Sequence, residues 1–346
     1  MNDGFRFAVM GDHRGDNKIA VIPPAPNGRV YTDGGISKPV LTDLAKALAK
    51  ENVDFVLDVG DMATKWQSGL FVEPSPGVEG VTADSLMAFE LADWANIWTN
   101  NSGNLPIYPV RGNQEVSASK IVWQDFIATL PGISTLPLNG PEGEQGLTYA
   151  FKYKNCLFVG IDQYVSPDAN NDSHIITAEA MAWLEWVLPQ SSHKFVYGHV
   201  PAFEVWDRGA ASPKTGIKDG LASPYVKFNP VSLAQRNAFW DLLGKHKANY
   251  FCGHDHMYTR GLCADTEGRW VRQVIIGNGG PVTKIYTDAA LTAYSENGWF
   301  AEAYAGIEFP QEGFPVGFPY KLVNPLVISE SNLWFPTPAP LKTKVF

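Results

Sequence analysis

The chain has 346 residues, 45% of them hydrophobic and 18% charged, which is enough for one large core or two ordinary ones. A net charge of −9 argues against nucleic acid as a partner, because binding to a phosphate backbone draws on clustered Lys and Arg. No apolar run is long enough for membrane insertion, and three cysteines without metal-like spacing (Cys156, Cys252 and Cys263) cannot form a complete disulfide set.

Short runs of β-branched and aromatic residues, each bounded by Gly, Asn or Pro, predict strands, and longer stretches with helical spacing predict helices between them. In chain order, a strand is expected at Phe5–Met10, then a helix at Pro39–Glu51 with Val40, Leu44 and Leu48 on one face. A strand follows at Asp54–Val59, then a helix at Thr82–Asn100 with Leu86, Phe89 and Ile97 at helical spacing. Strands at Ile107–Val110 and Leu157–Ile161 precede a helix at Thr177–Leu188 carrying Met181, Leu184 and Leu188. After a strand at Lys194–Tyr197, Ser232-x-x-Gln235 reads as a capping box opening a helix over Leu233–Lys245. Strands at Asn249–Cys252 and Trp270–Ile276 complete the pattern. The alternation predicts an α/β sandwich. Lys65–Val81 and Phe203–Pro230 have no periodicity, and loops of that length are usually lids or binding loops. Residues 1–305 are expected to form one domain, with the Pro- and aromatic-rich residues 306–346 wrapping it as an extension.

Five of these strand ends share one grammar, in which a glycine is followed by a side chain able to hold a metal. They are Asp12 in MGDHRG, Asp61 in DVGDMA, Asn113 in VRGNQE, His199 in VYGHVP, and His254 with His256 in FCGHDHMY. Two carboxylates, an amide oxygen and three imidazoles make a mixed oxygen and nitrogen set that suits Mn, Fe or Zn. Glycine before each lets the backbone turn sharply and brings loops from several strands to one point. Open α/β sheets bind ligands at such points.

The order GD, GD, GN, GH, GHDH resembles that of the calcineurin-like metallophosphoesterases, which include purple acid phosphatases and protein serine/threonine phosphatases. The resemblance runs over about residues 5–280 and includes Gly277–Gly280. It implies a four-layer α/β/β/α sandwich of the metallo-dependent phosphatase type, with two divalent metal ions at the strand ends. Asp61 would bridge them. Asn113, His199 and His254 would complete one metal position, and Asp12 with His256 the other. The implied activity is phosphoester hydrolysis by in-line attack of a metal-activated water, with a phosphomonoesterase expected first. A phosphodiesterase, or a non-catalytic metal- or phosphate-binding module, is the alternative. The expected partner is a small-molecule or exposed phosphoester substrate.

Three positions depart from the family pattern. Arg14 stands where Asp-x-His would place a ligand, with the histidine moved to His13, and Thr64 stands where purple acid phosphatases carry a tyrosine. Gln114 stands where a histidine would protonate the leaving group, and glutamine cannot donate a proton. Three readings stay open: His13 turns in as ligand or acid; both metals stay and Arg14 grips the substrate phosphate; or only the Asn113/His199/His254 metal persists. His174 reads first as a surface histidine and Asp162 as structural. Asp16, Lys65 and Arg208 read first as surface charges and second as substrate contacts, and Trp66 and Trp206 equally as walls of the cleft or as buried loop anchors. MNDGFRF lacks the features of a signal peptide, and the Trp-rich composition leans toward an exported protein whose leader lies outside this chain.

Overall fold

A computed structural model describes residues 4–15, 35–64, 82–133, 140–166, 174–203, 230–256, 258–277, 299–301, 326–329 and 344–345. The chain begins with β1 (Arg6–Met10), α1 (Lys38–Lys50), β2 (Phe55–Asp58), α2 (Ala83–Ser102), β3 (Ile107–Pro109), a short 3-10 turn (Glu115–Ser117) and α3 (Lys120–Ile127). It continues through β4 (Tyr149–Tyr153), β5 (Cys156–Gly160), α4 (Ala178–Val187), β6 (His193–Tyr197), α5 (Pro230–His246) and β7 (Asn249–Cys252). The remaining described elements are β8 (Tyr258–Ala264), β9 (Trp270–Ile276), β10 (Trp299–Ala301), β11 (Leu326–Ser329) and β12 (Lys344–Val345).

These strands make two sheets, ordered β12-β11-β1-β2-β3 and β10-β8-β9-β7-β6-β5-β4. In the first, β1, β2 and β3 are parallel and β11 closes against β1 antiparallel. In the second, β5, β6, β7 and β9 run parallel, with β4 and β8 antiparallel beside them. Strands buried on both faces read as continuous apolar runs, and β2 is buried at every residue.

The sheets meet through aromatic rings. Phe7 lies 5.1 Å from Phe158 and 5.4 Å from Phe195, and Phe55 lies 5.0 Å from Phe158, centroid to centroid. The two contacts of Phe158 are edge to face, a packing that adds to plain area burial. Side chains alternate along a strand, so Leu157, Val159, Val196 and Tyr250 face the other way, where they share a second core with Leu184, Phe239 and Trp240 of α4 and α5. Leu41, Trp94 and Trp123 of α1, α2 and α3 join the first core.

Some helix faces differ from expectation. On α1 the buried stripe is Leu41, Leu44, Ala45 and Leu48, without Val40. Phe89 is 52% exposed, and Met87, Leu91, Trp94 and Trp98 do its expected work on α2. α5 begins at Pro230, so Ser232 lies inside the helix rather than capping it. The Gln235 amide instead pairs with the backbone N–H and C=O of Ile176. Cys156 and Cys252 are buried free thiols, as expected of core residues. No helix among the described residues is long and apolar enough to cross a membrane.

Candidate metal centre

The ends of β1, β2, β3, β6 and β7 bring Asp12, Asp61, Asn113, His199 and His254 to one edge of the sheets. Asp12, Asp61 and His199 each offer a ligand atom within 4.8 Å of the others, and all three are buried. Four donor atoms converge more tightly. His199 Nε2 lies 3.0 Å from Asn113 Oδ1, 3.3 Å from His254 Nδ1 and 3.4 Å from Asp61 Oδ1, and His254 Nδ1 lies 3.2 Å from Asn113 Oδ1.

This geometry fits a divalent metal ion on two counts. The His199 Nδ1–H donates to the Val59 carbonyl at 2.8 Å, which leaves a lone pair on Nε2. That lone pair faces two oxygen acceptors, an arrangement that repels unless a cation sits among them. The spacing also matches. Ligand bonds of about 2.0–2.1 Å place neighbouring donors roughly 2.9 Å apart in an octahedral shell and 3.3 Å in a tetrahedral one.

The local backbone explains how short loops deliver these groups. Asp12, Asp61 and His254 have φ of 54°, 56° and 68°, the left-handed region that side chains other than Asn and Asp rarely enter. The sharp turn expected of the preceding glycines is made at Gly60, with a φ of 92°, and otherwise by Asp12, Asp61 and His254 themselves. Gly112 and Gly253 serve close approach instead. A Cβ on Gly112 would sit 2.2 Å from Asp61 Oδ1, and one on Gly253 2.1 Å from Asp12 Oδ2.

Beneath the loops lies a residue that the sequence reading overlooked. Glu115 is buried and accepts four backbone N–H groups, from Asp61 (3.1 Å), Met62 (2.8 Å), Ala63 (3.0 Å) and Gly112 (2.7 Å). One carboxylate thus ties the Asp61 loop to the Asn113 loop. Burial and the charge of Asp61 push its pKa up to about 7 against the pull of those donors. A cation on Asp61 would cancel the second cause. The signal was available: an acidic residue two places past a ligand, on a segment too short to expose it.

The departures from the family pattern resolve as follows. His13 is fully buried and both ring nitrogens are engaged, Nε2 with Asp58 Oδ2 at 2.7 Å and Nδ1 with the Trp94 indole N–H at 3.2 Å. Burial lowers its pKa, and Asp58, Glu115 and Asp12 together raise it by more. The structure therefore does not bring His13 among the converging side chains, and adjacent side chains point apart as a strand end dictates. Arg14 does reach the cluster, its Nε 3.3 Å from Asp61 Oδ2. The Gln114 N–H donates to Asp61 Oδ1 at 3.0 Å. His256 Nε2 lies 3.6 Å from Asp12 Oδ1, and Asp12 Oδ2 accepts the His254 N–H at 2.8 Å. Thr64 is buried and donates its hydroxyl to the Gly15 carbonyl.

The expectation for His174 is corrected. It is buried rather than on the surface, with its ring 5.5 Å from that of His254 and 5.4 Å from that of Tyr164. Its place in a polar loop concealed this contact. Asp162 is structural, paired with Arg111 through two hydrogen bonds of 2.6 and 3.1 Å. Asp16, Lys65, Trp66, Trp206 and Arg208 lie outside the described residues, as do residues 65–81, 204–229 and 278–280.

No family model and no curated protein sequence matches the chain. Solved structures do. A purple acid phosphatase from yellow lupin (Lupinus luteus) seeds matches with a TM-score of 0.52 at 12% identity, over 83% of this chain and 46% of that one. The chain thus spans about half the length of that enzyme. A dimetal phosphatase from Danio rerio matches at 0.45 and 15% identity, over 78% and 86% of the two chains, and PhoD at 0.48 and 16%, over 86% and 61%. The likeness to the lupin protein shows a shared fold, that of the metallo-dependent phosphatases.

Proposed function

We propose that this chain is a metal-dependent phosphoester hydrolase, and that its first substrates are phosphomonoesters. The observation that carries the reading is the convergence of Asp61, Asn113, His199 and His254 at 3.0–3.4 Å on the strand ends of a phosphatase fold. Those four residues would hold a divalent ion, with Mn, Fe and Zn suited to the mixed donors. Asp12 and His256 form the neighbouring group. When bound, the ion would supply Lewis acidity to a phosphoryl oxygen and to the attacking water.

The chain's own residues set the rest. Val59 fixes the His199 tautomer, and Glu115 holds the two loops in register. Gln114 can offer a leaving oxygen only a hydrogen bond, since an amide has no transferable proton near neutral pH. Proton donation to the leaving group then falls to water or to His174, the buried imidazole against His254.

The test is turnover of p-nitrophenyl phosphate and bis(p-nitrophenyl) phosphate by the protein loaded with Mn²⁺, Fe²⁺ or Zn²⁺. The monoester is expected to turn over faster, and His254→Ala to lose bound metal and hydrolysis together. A preference for the diester would make this a phosphodiesterase. Metal uptake with neither ester hydrolysed would refute the enzymatic reading and leave a binding module.

A further inference from the structure

We infer that the Arg14 guanidinium is the built-in second cation of this centre, so that the protein takes one divalent ion rather than two. The inference rests on the metal position proposed above, at Asp61, Asn113, His199 and His254, and adds its stoichiometry and the cause.

The Asp61 carboxylate is already divided. Its Oδ1 faces His199 Nε2 at 3.4 Å and accepts the Gln114 N–H, while its Oδ2 carries Arg14 Nε at 3.3 Å. A carboxylate can bridge two ions through both oxygens or through one, and here Oδ2 is ion-paired with a guanidinium while Oδ1 already serves His199 and the Gln114 N–H. Arg14 is no surface chain folded over the site. Its side chain is 13% exposed, its backbone N–H donates to the Asp61 carbonyl at 3.1 Å, and it forms a β-bridge with Ile36. The next residue is tied as well, because the Gly15 N–H donates to Gly35 and the Gly15 carbonyl accepts the Thr64 hydroxyl. The backbone therefore fixes the guanidinium beside Asp61.

The donors left for a second ion are few. Asp12 Oδ2 is occupied by the His254 N–H and closely covered by Gly253, which leaves Asp12 Oδ1 and His256 Nε2, 3.6 Å apart. A guanidinium keeps its charge at any working pH and cannot ligate. It neutralises Asp61 Oδ2 as a metal would, and it repels a dication brought to the same oxygen.

The experiment is equilibrium dialysis of the metal-free protein against Mn²⁺, with bound metal counted by elemental analysis and its electron paramagnetic resonance spectrum recorded. The unmodified protein is expected to bind one equivalent with the resolved hyperfine lines of an isolated ion. Arg14→His and Arg14→Gln are each expected to admit a second equivalent, weaker in the glutamine variant, with spin coupling between the two ions. Two equivalents in the unmodified protein, or a coupled spectrum there, would overturn the inference without touching the hydrolase reading. So would a single equivalent in folded Arg14→Gln, since the vacancy would then stem from a missing ligand. No bound Mn²⁺ at all would overturn the metal position itself, and the inference with it.

Discussion

Glu115→Gln is the substitution whose effect the geometry defines most closely. The change keeps size and shape and swaps one carboxylate oxygen for an amide NH₂. Oε1 serves Met62 and Ala63, while Oε2 serves Asp61 and Gly112, so each oxygen accepts two backbone donors. Whichever way the amide turns, two buried N–H groups then face a donor. A stranded buried donor costs about 1–3 kcal/mol, which puts the loss at roughly 2–6 kcal/mol. That is a large part of the ~5–15 kcal/mol that holds an ordinary domain together. Urea unfolding of the metal-free protein would read it as a fall in midpoint at unchanged slope. Glu142→Gln, on an exposed side chain, is the control and should stay within about 0.5 kcal/mol. Metal affinity should drop alongside, because the stranded donors belong to the loops that present Asp61 and Asn113. A loss below about 1 kcal/mol would refute the claim that one carboxylate holds both loops.

Arg111→Met should cost about 3–5 kcal/mol by leaving Asp162 charged and unpaired in the interior, and adding Asp162→Leu should recover most of it, both read by the same unfolding assay. Glu144 has its pKa raised by burial, so its folded value lies above the unfolded one. Its contribution is present in full below the unfolded pKa of about 4.5 and is lost as pH rises through the folded value. Glu144→Gln should therefore flatten the decline of stability with pH above that point, and an unchanged slope would count against it. Hydrolysis rates should fall steeply with leaving-group pKa, since a positioned acid typically gives about 10²–10⁴-fold and Gln114 offers none. A flat dependence that turns steep in His174→Asn would identify His174 as the donor.

Much of the frame was legible because it is written in local patterns. Strands β7 and β9 coincide with their predicted runs, and β1, β2, β3, β5 and β6 lie within a residue or two of theirs. Each of the five is apolar, short and flanked by turn residues, so length and punctuation suffice. The strands that escaped are of another kind. β4 (YAFKY) and β8 (YTRGLCA) mix polar and small residues, and partners across the sheet hold them rather than propensity. α3 was missed because Ser119 and Lys120 give a weak start signal and only eight residues follow. At the site, the side chains that converge, and their order, could be read from glycine-led strand ends. The partners that hold them could not. Asp58 meets His13 across 45 residues and Glu115 reaches Ala63 across 52, and neither distance leaves a trace in a local window. The burial of His174 escaped for the same reason.

The left-handed backbones of Asp12, Asp61 and His254 bear on how such a protein could change over time. A non-glycine residue held there costs about 1–3 kcal/mol, and the surrounding hydrogen bonds keep it in place. Glycine would release that cost at any of the three, but at Asp12 and Asp61 it would also strand the His254 and Gln114 N–H groups, so His254 is where added stability and loss of a metal-type donor coincide. Drift toward stability and selection for chemistry therefore pull in opposite directions at that position. Asparagine, which tolerates the same φ and keeps an oxygen donor, would be the mildest exchange for either aspartate.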